Sequence, residues 1–267
     1  MFVRNGTLRL MTIIQALLLG IVEGITEFLP ISSTGHLILT SHLLQISQTE
    51  FLKSFEVAIQ LGAILSVVVL YGQSLLKSPT VILRVLAAFI PTAIIGFIFH
   101  DIVKEILLES VQTVLWSLFI GGIVLLLFER FHHETSHATA SLENITYKQA
   151  LTIGLFQSLA LVPGVSRAAA TIIGGLLLGI SRKTIVEFSF LLAIPTMLAA
   201  TGLDLLKTGA SFTNQEFGLL AVGFVTAFLV ALIAIRWLLS YITKHSFTVF
   251  GWYRVLVGGI GLVVILL

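Results

Sequence analysis

The sequence predicts an all-α polytopic membrane protein built as an inverted-topology repeat, each half a re-entrant helix hairpin followed by three transmembrane helices. Three observations lead there. The 267 residues are 57% hydrophobic and only 10% charged, with a mean hydropathy of +1.07, against about 45–50% apolar and 25% charged in ordinary soluble domains. The apolar runs last about twenty residues, the length of a helix crossing about 30 Å of hydrocarbon, and do not alternate over about ten positions as barrel strands do. Finally, the chain reads as two copies of one unit.

Punctuation by Gly, Pro and charge divides the chain into about ten helical pieces. They lie near residues 11–29, 34–46, 54–72, 79–100, 111–130, 147–162, 167–180, 184–206, 216–240 and 247–267. The first stretch follows Arg4 and Arg9 but contains Glu23 and Glu27 and offers no small-residue cleavage site. It is therefore expected to be retained and not cleaved as a signal. The long polar interruption, Glu129 to Lys148, falls at the midpoint of a single integral membrane domain, residues 1–267. With no cysteine there is no disulfide framework, thiolate nucleophile or Cys-ligated zinc. A net charge of +2 with no basic stripe excludes a nucleic-acid partner.

The repeats cover about 11–130 and 147–267. Gln15-Ala16-Leu17 with Gly20 recurs as Gln149-Ala150-Leu151 with Gly154, and Pro30 followed by Ser32-Ser33 is echoed by Pro163 followed by Ser166. Glu56 returns as Glu187, and Trp116 with Gly121-Gly122 returns as Trp252 with Gly258-Gly259. In each copy the second piece is too short to span, and a Pro/Ser/Gly segment separates it from the first. Each pair therefore reads as a hairpin entering and leaving by one face, since unwound backbone at membrane depth needs protein or a water-filled cavity around it. Three spans per half is an odd number, so the second half inserts upside down and the two tips meet near the midplane.

The chemistry gathers at those tips. Glu23 and Glu27, four apart, share one helix face and can reach a single ion. Carboxylates in hydrocarbon cost about 2.5–3.5 kcal/mol each unless they face a cavity or a cation. Ser32-Ser33-Thr34-Gly35-His36 opens a new helix, with Ser33 either an ordinary cap or a hydroxyl held at an anion-binding helix end. Pro163-Gly164-Val165-Ser166-Arg167 repeats the helix start and adds a guanidinium fork suited to phosphate oxygens. Aligning the halves pairs Glu23 with Gln157, Glu27 with Leu161, Thr34 with Arg167 and His36 with Ala169. Acid, base and nucleophile candidates thus sit in one half and the fixed cation in the other. This is the pattern of a catalytic site for a phosphorylated, lipid-soluble molecule.

These segments, Glu23-x-x-x-Glu27, Phe28-Leu29-Pro30-Ile31-Ser32-Ser33-Thr34-Gly35-His36 and Pro163-Gly164-Val165-Ser166-Arg167 with Thr171, resemble the signatures of the undecaprenyl-diphosphate phosphatase family of the bacitracin-resistance type. The resemblance runs over essentially the whole chain. It implies hydrolysis of undecaprenyl diphosphate to the monophosphate and inorganic phosphate with a divalent cation, Mg²⁺ or Ca²⁺. This would recycle the carrier for cell-wall polymers in the plasma membrane, from a site open to the extracytoplasmic face. It further implies Glu27, Ser33, His36 and Arg167 as the catalytic set and Glu23 with Glu27 as the metal pair. Ser32, Thr34, Gly164, Ser166, Arg167 and Thr171 would be the substrate contacts. Partners are then the polyprenyl diphosphate lipid and the bilayer, with a homo-oligomer left open. One position departs from the pattern: Ala168 stands where the family usually has serine.

Two mechanisms fit. In one, Ser33 attacks phosphorus and His36 takes its proton; in the other, a metal-bound or Glu27-activated water attacks and Ser33 only binds oxygen. A second function class, a transporter or flippase of a polyprenyl phosphate, shares the inverted-repeat architecture. Other features carry less. His132, His133 and His137 lack accompanying ligands, and Asn5-Gly6-Thr7 and Asn144-Ile145-Thr146 are glycosylation patterns without weight here. Arg254 is expected to snorkel or to meet a buried carboxylate. The face with Arg4, Arg9, Lys53, Lys104 and Lys207 carries five cations, against eight on the other: Lys77, Arg84, Arg130, Lys148, Arg182, Lys183, Arg236 and Lys244. The positive-inside rule then puts both termini outside.

Overall fold

The computed structural model describes residues 11–99, 110–134, 138–208 and 213–266. Arg4, Asn5-Gly6-Thr7, Arg9, the stretch from Asp101 to Glu109 with Lys104, His137 and the side chain of Lys207 lie outside the described residues. Ten α-helices are found among the described residues, and each coincides with one of the predicted pieces. They are α1 (Ile13–Thr26), α2 (Ser33–Leu43), α3 (Glu50–Leu76), α4 (Pro79–Ile98), α5 (Val111–Phe131), α6 (Tyr147–Ser158), α7 (Arg167–Leu177), α8 (Arg182–Thr208), α9 (Asn214–Ile242) and α10 (Thr248–Leu266). Among the described residues, six helices are long and apolar enough to cross a membrane: α3, α4, α5, α8, α9 and α10. The chain is an all-α polytopic membrane protein.

The four short helices form two pairs built alike from the same residue types. Thr12 and Thr146 each cap a helix with the glutamine three positions on returning the bond, Gln15 and Gln149, a capping box in both cases. The same glutamines then donate from Nε2 to the ends of the companion helices, Gln15 to the Leu44 carbonyl at 3.3 Å and Gln149 to the Leu178 carbonyl at 3.1 Å. Each pair therefore doubles back so that its entrance lies beside its exit. With 14 and 11 residues in the first pair and 12 and 11 in the second, none reaches the roughly 30 Å of a span at about 1.5 Å per residue.

Partners are exchanged between the halves. Helix α1 packs along α9, α6 along α4, and α5 along α10. Small residues allow it: a Cβ on Gly20 would lie 2.7 Å from the Gly223 carbonyl oxygen, and one on Gly154 would lie 2.0 Å from that of Ala88. Backbones this close gain packing where lipid tails offer no hydrophobic drive. The midpoint segment is sewn to the end of α7 by a parallel bridge, Thr139 N–H to the Gly179 carbonyl at 2.8 Å and Ser181 N–H to the Thr139 carbonyl at 3.0 Å.

A clasp holds three helix ends together. Glu129, at the end of α5, takes both guanidinium arms of Arg182 at the start of α8, and Oε1 also accepts the Phe247 N–H before α10 at 3.2 Å. The guanidinium lies 5.3 Å from the Phe247 ring centroid. Removing one member strands a nearly buried charge, so Glu129→Ala is expected to cost about 3 kcal/mol of stability. Thermal unfolding in detergent reads this, and an unchanged midpoint would show that the clasp contributes nothing.

Candidate active site

Both hairpin turns end in the same unusual way. Ser32 (φ 71°, ψ 97°) and Ser166 (φ 76°, ψ 115°) sit in backbone regions that a side chain rarely adopts. Each caps the next helix, Ser32 Oγ accepting from Gly35 N–H at 3.3 Å and Ser166 Oγ from Ala169 N–H at 3.2 Å. The cap is thus Ser32, and Ser33 is the first helical residue with its hydroxyl free for other work. Equating the two capping serines pairs Ser33, not Thr34, with Arg167, and His36 with Ala170 instead of Ala169; the sequence alignment was one residue out past the turn.

Three of the four expected catalytic side chains converge. The Ser33 hydroxyl donates to Glu27 Oε2 in a short hydrogen bond. The other oxygen, Glu27 Oε1, accepts from Arg167 Nη2 at 2.9 Å across the interface between the tips. Arg167 is aimed by Ser189 on α8, whose carbonyl accepts from Nη1 at 2.7 Å. The Arg167 Nε–H, also buried, has no acceptor. Around them is a cavity of about 80 Å³ lined by Ser32, Ser33, Thr34, Gly164, Ser166 and Arg167 among others, room for two or three waters at about 30 Å³ each.

His36 is elsewhere engaged. Its Nδ1 lies 2.7 Å from the Ser32 carbonyl oxygen and its Nε2 lies 2.8 Å from the Tyr253 hydroxyl, with the two rings stacked at 5.5 Å between centroids. Both nitrogens being occupied, His36 is not the partner of the Ser33 hydroxyl; Glu27 is. Thr171 is also engaged elsewhere. Its hydroxyl is fully buried and bonded to the Arg167 and Ala168 carbonyls and to Ser189 Oγ at 2.6 Å. It supports the residue that aims Arg167 and does not line the cavity. Ala168 is packed into the apolar core, so the missing serine hydroxyl leaves no gap in the cavity wall.

Glu23 is fully buried and neither carboxylate oxygen meets a donor. An orphaned carboxylate beside a second one is what a hard divalent cation would satisfy, particularly Mg²⁺, which commonly takes one or two carboxylates and completes its shell with water and phosphate oxygens. Its counterpart Gln157 instead spends its amide on Thr92 at 2.9 Å and Thr196 at 3.1 Å. Among the described residues no three His, Asp or Glu side chains group as a complete metal site, so Glu23 and Glu27 would supply only part of a cation's shell.

Sequence reasoning missed Gln60 and Met197, which line the cavity from α3 and α8, as well as Ser189 and Tyr253. Gln60 lies one turn beyond Glu56 in an apolar helix, a signal that was available. Arg254 neither snorkels nor meets a carboxylate: it is completely buried and bonded to carbonyls of both tips. A larger cavity of about 300 Å³ lies by Tyr71 and Glu187, and none of the expected site residues lines it.

A family model described as bacitracin resistance protein BacA matches residues 16–260. The chain belongs to that family. It is 51% identical over 248 residues to the undecaprenyl-diphosphatase of Aquifex aeolicus, covering 93% of this chain and 96% of that one. It is 53% identical over 248 residues to that of Sulfurihydrogenibium sp., covering 93% and 97%, and 43% identical over 266 residues to undecaprenyl-diphosphatase 1 of Mesorhizobium japonicum, covering 96% and 98%. The BacA family match spans both hairpins, so every site residue discussed lies inside it.

Proposed function

We infer that this chain is a membrane phosphatase that hydrolyses undecaprenyl diphosphate to undecaprenyl phosphate and inorganic phosphate, returning the lipid carrier to cell-wall polymer synthesis. One observation carries the chemistry: the cavity between the tips is lined by the hydrogen-bonded Ser33–Glu27 pair and by Arg167, whose Nε–H is unpartnered, and one helical turn before Glu27 lies a second, unpartnered carboxylate, Glu23. A metal-bound diphosphate satisfies both orphans at once. Glu23 and Glu27 would hold a divalent cation, Mg²⁺ or Ca²⁺, which when bound offsets the charge of the diphosphate.

The protein's own groups do the rest. Arg167 grips the terminal phosphoryl oxygens through its free Nε–H, and the backbone N–H groups opening α2 and α7 face the same anion. Ser33 Oγ attacks the terminal phosphorus while its proton passes to Glu27 Oε2. The Oγ–P bond forms, the bridging P–O bond breaks, and the lipid monophosphate leaves as an anion that needs no proton. Glu27 releases that proton to solvent; water then attacks the phosphoserine and gives a proton to Glu27, which passes it to Ser33 Oγ as the Oγ–P bond breaks, so inorganic phosphate departs with the Ser33 hydroxyl restored. His36 holds the Ser32 carbonyl and so the shape of the turn.

The matched capping boxes and turn serines of the two hairpins support reading the chain as an inverted repeat with re-entrant hairpins, repeats 11–130 and 147–267, and the family resemblance implies a site opening to the extracytoplasmic face. Purified protein in detergent, with no membrane gradient, is expected to release phosphate from a polyprenyl diphosphate and to stop in chelator. Absence of release from a folded sample would hand the chain to the transporter reading, and full activity in chelator would remove the cation.

A further inference from the structure

Among the described residues two arginines are buried, Arg167 and Arg254. Arg167 has a carboxylate and a place in the chemistry; Arg254, on α10, has neither. All five of its N–H donors nevertheless have acceptors, which for a guanidinium is saturation. Nη1 donates to the Pro30 carbonyl at 3.2 Å and to that of Val165 at 2.9 Å; Nη2 donates to those of Gly164 at 3.0 Å and Ser117 at 3.0 Å; Nε donates to that of Leu118 at 3.4 Å.

The distribution of those acceptors is informative. With Ser32 equated to Ser166, Pro30 is the counterpart of Gly164, so one guanidinium takes the equivalent carbonyl from each hairpin turn. The remaining donors anchor it to α5. Room for it comes from that helix: a Cβ on Gly121 would lie 2.0 Å from Nη2. The preceding residue, Tyr253, holds His36 of the first hairpin. One turn of α10 therefore grips both tips within a few residues of Glu27, Ser33 and Arg167.

We propose that Arg254 is a positioning residue that sets the register of the two hairpin tips, and that Gly121 makes this possible. Ser33 and Glu27 come from one tip and Arg167 from the other, and Val114 of α5 lies against both turns, at Gly35 and Gly164, by packing alone. A buried charge satisfied only by carbonyls is costly to retain, and a simple apolar packing residue would fill the same volume more cheaply. What it adds is a rigid, planar link with donors on opposite edges, which lysine cannot reproduce. The idea rests on the phosphatase reading for its kinetic consequence, and on geometry alone for its structural one.

Both are testable with the full-length protein in detergent. Arg254→Lys is expected to lower kcat about 10²-fold, the cost of roughly 1 Å of misplacement, with KM for the lipid diphosphate changed less than about threefold, since Arg167 and the carboxylates survive. Gly121→Ala, which crowds the guanidinium and leaves Arg254 in the chain, should show the same split and decides the matter if Arg254→Lys does not fold. For geometry, spin labels on cysteines at Leu43 and Leu177, exposed ends of α2 and α7 in a chain with no native cysteine, report the distance between hairpins without substrate. Broadening of that distribution by either variant supports the link even in a preparation that releases no phosphate, a result that would sink the phosphatase reading alone. Unchanged kcat with an unchanged distribution overturns the proposal, as does a loss seen only in KM.

Discussion

Ser33→Ala is expected to lose phosphate release by roughly 10³-fold or more, the scale on which removing a nucleophile acts, while still binding the lipid diphosphate. Binding survives because Arg167 and the helix-end N–H groups are untouched. Glu27→Gln should be comparably severe, since Glu27 both accepts the Ser33 hydrogen bond and takes the Arg167 contact at 2.9 Å. His36→Ala is the discriminating control. With its nitrogens on the Ser32 carbonyl and the Tyr253 hydroxyl, His36 should cost about tenfold through the loosened turn, at the scale of a lost hydrogen bond. Rapid quench with labelled substrate looks for phosphoserine. Robust turnover by Ser33→Ala would give the attack to water, and a His36 variant as dead as Ser33→Ala would return the base to histidine.

The second large effect is expected at Arg167. Its guanidinium is fixed by Ser189, paired with Glu27 and left with a buried Nε–H lacking an acceptor. Lysine keeps the charge and loses the fixed fork, so Arg167→Lys should reduce kcat by about 10²-fold or more. It should also loosen Glu27, seen as weaker dependence of the remaining activity on Ser33. Phosphate release at saturating lipid measures it; a variant retaining a third of parental activity would mean that a point charge suffices.

Much of this was legible in the residues, for reasons that differ along the chain. Helix positions followed because apolar runs bounded by Pro, Gly and charge leave little choice, and capping boxes at Thr12 and Thr146 fall where the repeat places them. Glu27 and Arg167 stood out because ionisable groups inside hydrocarbon demand partners, and Ser33 because its hydroxyl lies where a new helix opens. What escaped were bonds between residues far apart in the chain whose types are commonplace. His36 and Tyr253 are separated by 217 positions, and nothing local to a tyrosine in an apolar helix announces a histidine. Arg254 was visible as a buried cation, but its acceptors are backbone carbonyls, which every residue has. The first capping serine was misplaced by one, Ser33 for Ser32, because an adjacent serine offered the same chemistry. Only the positive φ at Ser32 and Ser166, where glycine is the usual choice, settles which one turns the chain.

The exchange of partners between the halves bears on how the protein is made. Helices α1 and α2 are synthesised before the other described helices, yet the long surface against which α1 lies belongs to α9, about two hundred residues later. Too short to cross the bilayer as spans, they can make that contact only after α9 has been synthesised. The second hairpin, by contrast, finds α4 already in place. Both turns are finally tied by Arg254, on the last of the described helices. Assembly therefore runs from the frame inward, and a nascent chain carries every group that touches phosphate well before it carries the one that brings the two turns together.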